Sequence, residues 1–428
     1  MRPGDISEIK HLYRLEPEKC NIHRISGCFV NGDKEKVVHF TESFQLLPEE
    51  ERFKYLEIFR KCLSGTRDKN LILLRPRQVH RNDGSGDMTG EECKLLQALI
   101  ETDLKDEDTL QEFYDKVIEN YNYVDNFLIL IARQNYDVPG KTLDGLDLED
   151  ASEEVYCHMV CAICPVKPTK PGLGYDPSEK AFHNLQPGQI VEMPMNGFLY
   201  PAFIERSQDP DFVLYFSKDS VDIRPGFADA VLGSATPLAA AGQKESFSSL
   251  LTDTLGDEGD LSTVLQIHEN LQTIVREKKE EQESPILKKE DVRVILRDCG
   301  VPEERMEDFD DRFDAIFTLN PDEAGGDPAG GAGSEEPESG EPEAEDANGA
   351  VKDTALSRYP EEIPIEERIF VASNLVPQRT LEVKNADFSI RINTNRTELL
   401  ETKVIDGQKC LVIRLEDGVS VNGIPIRL

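Results

Sequence analysis

Cys157, Cys161 and Cys164 form a C-x3-C-x2-C run, the spacing with which radical S-adenosylmethionine enzymes hold irons of an iron–sulfur cluster through thiolates. Such a cluster needs its cysteines on a loop that wraps the metal. Val155 to Val166 reads instead as a strand, which sends Cys157 and Cys161 to one face and Cys164 to the other, the pattern of core cysteines. A second candidate for metal is the acidic run Asp144, Asp147, Glu149, Asp150, Glu153 and Glu154, whose carboxylate oxygens could hold Mg²⁺ or Ca²⁺. Its ligand order matches no EF-hand, and a loop this polar also reads as a solvated one. Asn82 to Asp87 lacks the glycine an EF-hand needs at the sixth position and reads as a loop.

The histidines are His11, His23, His39, His80, His158, His183 and His268, and no two stand at ligand spacing on one helix face. His268-Glu269-Asn270-Leu271-Gln272 has the outline of a zinc-protease helix, with glutamine where the second ligand belongs. It reads as a helix with a histidine on its face. The nucleophile elbow, the P-loop and the dinucleotide-binding glycine turn do not occur. Two basic islands remain: Arg75, Arg77, His80 and Arg81, and Lys167 with Lys170. Arginines bind carboxylates and phosphates through paired hydrogen bonds, so these are the candidate contacts for an anionic ligand or a short RNA. The alternative is pairing with the chain's own carboxylates.

The supply of those carboxylates is large. With 83 acidic and 48 basic residues the formal charge is −35. A body this negative repels phosphate backbones and anionic lipids, which argues against nonspecific nucleic-acid or membrane binding. Residues 289–299 and 302–317 outline a helix-turn-helix, but the second helix shows Glu303, Glu307, Asp310, Asp311 and Asp314, like charges to a phosphate backbone. The longest apolar run, Phe127 to Ala132, is far short of the ~20 residues that cross a bilayer. No apolar signal region opens the chain, and the nine cysteines form no disulfide framework. A cytoplasmic protein is expected.

Several elements must carry these residues. Ile25–Val30, Asn31-Gly32 and Lys36–Phe40 read as a hairpin on a two-residue turn with positive φ angles. Pro48, three glutamates and the stripe Tyr55, Leu56, Phe59, Cys62 and Leu63 define a helix. Thr89 with Glu92 reads as a capping box before a helix carrying Leu95, Leu96, Leu99 and Ile100; a second helix carries Leu110, Phe113, Tyr114, Val117 and Tyr121. Phe127–Ala132 is apolar throughout, the mark of a strand covered on both faces. Lys167 to Pro177 reads as a turn-rich passage, with shorter strands at Gly197–Ile204 and Asp211–Phe216. Beyond Pro237 the apolar period is helical to about Leu319. Pro321 to Ala350 has ten acidic residues, four prolines, seven glycines and no basic residue, a composition that cannot offset its ordering entropy. Alternation resumes after Arg368, with Asp406-Gly407 and Asn422-Gly423 as turns.

The class expected is α+β: a mixed sheet with helices over 1–235, a helical subdomain over 236–319, a disordered acidic linker over 320–355, and a small antiparallel β module over 356–428. The chain resembles the bacterial domain-of-unknown-function 4317 family through Pro17 to Asn31, Cys164-Pro-Val-Lys-Pro-Thr-Lys-Pro171, Gly197-Phe-Leu-Tyr-Pro-Ala-Phe203 and Val421-Asn-Gly-Ile-Pro-Ile426. The resemblance implies a bacterial protein and brings no activity, cofactor or catalytic residue. The residues themselves support an interaction or regulatory protein with a protein partner, no catalytic residues and no cofactor. Two alternatives stay open. One is an enzyme or binding protein for an anionic small molecule or nucleotide, which predicts a deep pocket gathering Arg75, Arg77, Lys167 and Lys170. The other is a ribosome- or RNA-associated factor, which needs the two basic islands joined in one patch.

Overall fold

The structure is a computed structural model that describes residues 1–14, 20–80, 87–141, 147–170, 172–176, 180–185, 188–256, 261–317, 368–377, 380–385, 387–414, 420–421 and 424–425. From the amino end come α1 (Pro3–Leu12), β1 (Ile22–Val30), β2 (Lys36–Ser43), α2 (Glu49–Cys62), β3 (Leu71–Leu74), the short pair β4 (Gln78–His80) and β5 (Asp87–Thr89), α3 (Glu91–Glu101) and α4 (Glu107–Asn120). The hairpin β6 (Phe127–Lys141) and β7 (Asp147–Pro168) follows. Next are β8 (Gly172–Asp176), β9 (Ala181–Leu185), β10 (Gln189–Val191), β11 (Asn196–Tyr200), β12 (Ala202–Ile204), β13 (Ser207–Asp209), β14 (Val213–Ser217) and α5 (Pro225–Leu232). The rest is α6 (Ala240–Leu255), α7 (Leu261–Glu280), β15 (Ile286–Leu287), α8 (Lys289–Asp298), α9 (Phe309–Ile316), β16 (Phe370–Val371) and α10 (Ala372–Leu375). The chain then closes with the hairpins β17 (Thr380–Lys384) with β18 (Ser389–Asn393) and β19 (Leu400–Ile405) with β20 (Gln408–Ile413), and the short β21 (Ser420–Val421) with β22 (Ile424–Pro425). The class is α+β.

The main sheet runs β2-β1-β6-β7-β11-β14-β3, with β10 also on β7. Every pairing in it is antiparallel, a narrower form of the mixed sheet expected. Side chains alternate along a strand, so β7 serves two layers at once. Tyr156, Val160, Ala162, Cys164 and Val166 pack with Ile9 and Leu12 of α1 and with Leu56 and Phe59 of α2. Met159, Cys161 and Ile163 pack with Leu96 and Leu99 of α3, Phe113 and Val117 of α4, and Phe227 and Val231 of α5. Phe127–Ala132 on β6 divides in the same way, which is why that run has no polar position. Each large side chain fully buried this way contributes about 1.5–3 kcal/mol.

The helices follow their sequence signals. Glu49, Glu50 and Glu51 open α2 and Arg60 and Lys61 close it, each pair of ends suiting the helix dipole. Three expectations are corrected. The β1–β2 connection spans Asn31 to Glu35 rather than two residues: the Asn31 Oδ1 accepts the backbone N–H groups of Asp33 and Glu35, and Lys34 takes the positive φ. Gly32 serves close approach instead, since a Cβ there would meet the Val124 carbonyl oxygen at 2.8 Å. At α3 the N-cap is Gly90, not Thr89, which belongs to β5. Lys167 to Pro177, read as turns, contains β8. Helix α5 was not expected at all, although Pro225 at its first position and Gly233 (φ 65°) at its end are ordinary helix signals.

Beyond the sheet, α6 to α9 bury a core centred on Phe370, whose ring lies 5.5 Å from each of Phe247, Phe313 and Phe317. Residues that follow the acidic segment therefore return to the helices. The acidic stretch 320–355 itself lies outside the described residues, as does Asn422-Gly423. Asp406-Gly407 forms the expected β19–β20 turn, with φ of 53° and 81°.

Gly197 allows α2 to lie against β11. A Cβ at this position would stand 2.5 Å from the Cys161 carbonyl oxygen and 2.6 Å from Cys62 Sγ, with backbone on one side and a helix on the other. Gly197→Ala should lower stability by about 1–3 kcal/mol in urea unfolding. Gly242→Ala, in α6 with open space at its Cβ, should not lower it.

Candidate interaction surface

The structure separates most of the residues singled out above. Cys161 and Cys164 are buried on opposite faces of the sheet, and Cys157 packs half-buried on the Cys161 side. The three thiols therefore do not converge on one point, as the strand period requires. Burial pushes the Cys161 and Cys164 thiols well up, away from the thiolate form that binds metal. Among the described residues no group of three or more His, Cys, Asp or Glu side chains could hold a metal ion. Asp144 lies outside the described residues; Asp147 and Asp150 begin β7, where only the backbone is described.

The basic islands are also apart in role. Arg77 pairs with Asp229 of α5 at 2.7 Å, and Arg75 lies over the Phe212 ring at 5.8 Å. Lys167 pairs with Glu192 at 3.0 Å; Arg81 lies outside the described residues. Two cavities of about 500 Å³ are present, one at the free edge of β3 and one between α7 and the C-terminal strands. Neither is lined by Arg75, Arg77, Lys167 or Lys170.

What the sequence reading missed is an arm. Strand β7 pairs with β6 only as far as Pro165 and with β11 only as far as Ile163, so its last residues outrun the sheet. There β10 takes over, pairing Ile190 with Lys167 and Gln189 with Pro168. Thr169 and Gly188 clamp the two strands, backbone to backbone at 2.8 Å and Gly188 N–H to Thr169 Oγ1 at 2.7 Å. From this clamp β8 and β9 extend as a hairpin in the register Leu173↔Asn184 and Tyr175↔Phe182. Residues two apart on a strand, and residues directly opposite, share a face. Leu173, Tyr175 and Phe182 thus form one face, with the two aromatic rings 5.3 Å apart.

That face is bare. Leu173 is 76% exposed, Tyr175 54% and Phe182 66%, and Ile190 at the arm's base is 57% exposed. Lys170 and Lys180 are exposed beside it and have no ion-pair partner among the described residues. A signal was available: Leu173 and Tyr175 alternate with Gly172 and Gly174. The turn-forming composition hid it.

The opposite case is His158, wholly buried between Tyr13 and Tyr156. Its Nε2 lies 3.0 Å from the Tyr13 hydroxyl and its ring stacks on Tyr156 at 4.4 Å. Burial pushes its pKa from 6.5 down to about 3, against an upward pull from the Tyr156 backbone. The ring is neutral; its Nδ1 has no hydrogen-bond partner among the described residues, and the tautomer sets which of Nε2 and the Tyr13 hydroxyl donates. Its cross-strand neighbour Gln134 is buried with both amide atoms lacking a partner.

The class is α+β, with a two-sided antiparallel sheet and a hairpin that carries an exposed apolar face. The family model described as "Domain of unknown function (DUF4317)" matches residues 1–323 and 349–424, and the chain belongs to that family. No curated protein and no solved structure matches it.

Acid should act through His158. An unfolded chain takes up a proton at this ring near pH 6.5, whereas the folded one resists until about 3, so stability falls as pH drops through that window. Between pH 7 and pH 4 the wild type should lose about 3 kcal/mol more than His158→Gln, measured by urea unfolding at each pH.

Proposed function

We propose that this is a cytoplasmic bacterial protein that acts by binding another protein, with the β8–β9 arm as its contact and without catalysis of its own. The single observation that carries the reading is the exposed face of Leu173, Tyr175 and Phe182. Tyrosine and phenylalanine are the side chains that anchor interfaces, because they bring large rigid area at little entropic cost. The partner's chemistry follows from the arm: an apolar cleft wide enough for two rings, rimmed by carboxylates that meet Lys170 and Lys180. A net charge of −35 on the whole chain weighs against RNA, whose phosphates would be repelled everywhere else. All nine cysteines are free thiols, in keeping with a reducing compartment. No helix among the described residues is long and apolar enough to cross a membrane.

The test is a pair of substitutions on the bare face. The Tyr175→Ser, Phe182→Ser double variant should stay within about 0.5 kcal/mol of wild-type stability, because it removes exposed area. It should lose, in nuclease-treated extracts, the stoichiometric partner that the wild type retains. Equal retention by both proteins would place the contact elsewhere, and a partner removed by nuclease would support RNA.

A further inference from the structure

The helix that carries the incomplete zinc-protease pattern lines a cavity. Along α7, His268, Glu269, Gln272 and Arg276 fall on one stripe and face the turn residues Thr397 and Glu398 across a space of about 540 Å³. Most of the side chains in its wall are polar or charged, with Leu381 the apolar one. Most sites for drug-like ligands are apolar with a few polar groups, so this one suits a small, strongly polar molecule.

Its charges are arranged in order. Glu269 and Arg276 lie two helical turns apart, about 10 Å along the axis, so a carboxylate stands at one end of the stripe and a guanidinium at the other. Arg276 forms no ion pair or hydrogen bond among the described residues, despite the chain's surplus of carboxylates. The Glu398 backbone N–H, and then Arg396, whose Nε lies 2.7 Å from the Glu398 Oε1, hold that carboxyl below its usual range. Between the ends, Gln272 can donate and accept; His268 precedes Glu269 on the helix, and its Nδ1 is buried with no hydrogen-bond partner among the described residues. Burial and the nearby Lys244 hold that imidazole neutral.

We propose that this cavity binds a small zwitterion, a free α-amino acid or a molecule with the same ammonium and carboxylate pair. The ammonium meets Glu269, the carboxylate meets Arg276, and Gln272 bonds between them. The lengths agree: two hydrogen bonds of about 2.8 Å plus the charge separation of an amino acid come to about 9 Å. A simple anion would meet the Glu269 carboxylate at one end, and a simple cation would meet the guanidinium at the other. An uncharged polyol would leave Arg276 without the bidentate partner its fork prefers.

The experiment is calorimetric titration of the full-length protein with each proteinogenic L-amino acid at millimolar concentration. The methyl ester and the N-acetyl derivative of the tightest binder are titrated next. At least one amino acid should bind, and each derivative should bind roughly tenfold or more weakly, since each loses one charge-assisted contact. Arg276→Gln and Glu269→Gln should weaken binding similarly with unchanged Tm, both side chains being at the surface. Absence of heat with every amino acid, or derivatives that bind as well as the parent, would overturn the proposal.

Discussion

Between Met159 and Ile163, β7 has a paired strand at each edge and a helical layer on each face, and the rest of the molecule is arranged around satisfying those four sides. A strand in that position has no polar side to spare. Its cysteines, its tyrosine and its one histidine are therefore packing residues, and His158 keeps a neutral ring because a charged one could not be solvated there. The same constraint explains Gly197, since the helix that covers β11 comes too close for a Cβ. Chemistry that needs water or a ligand has to lie where this enclosure ends.

The enclosure ends where β7 outruns β6 and β11. The hairpin that begins there carries an exposed apolar face of Leu173, Tyr175 and Phe182 on a chain that is strongly acidic. A body of −35 repels copies of itself and polyanions. The polar cavity against α7 lies in a different part of the molecule, built on the helical core around Phe370 rather than on the sheet. The two proposed sites rest on separate observations.

Much of the scaffold was legible in the residues. The unbroken run Phe127–Ala132 announced a strand covered on both faces, and the period of two along β7 separated Cys164 from Cys157 and Cys161. Pro48 and the glutamates after it marked the start of α2, and the stripe Leu110, Phe113, Tyr114 and Val117 marked α4. What escaped depended on tertiary neighbours. Asn31-Gly32 looked like a two-residue turn, yet Gly32 is set by the Val124 carbonyl and by Asn126, whose Oδ1 accepts its N–H at 3.0 Å. The arm was concealed because glycine and proline signal turns locally, whereas exposure of Tyr175 and Phe182 follows from the lack of a neighbouring layer. The α7 cavity was half legible: the histidine and glutamate spacing drew attention to the helix, but only the fold brings Thr397 and Glu398 opposite.

The central claim, that the bare hairpin is where this protein meets its partner, is tested most directly by a photo-crosslinking residue at position 182 in the living host. A matched probe at position 124 serves as the control, since Val124 is 89% exposed and lies in the loop before β6. A discrete protein adduct from position 182, absent from 124 and lost on Tyr175→Ser, is the expected result. Adducts of equal strength from both positions, or none from 182, would contradict it.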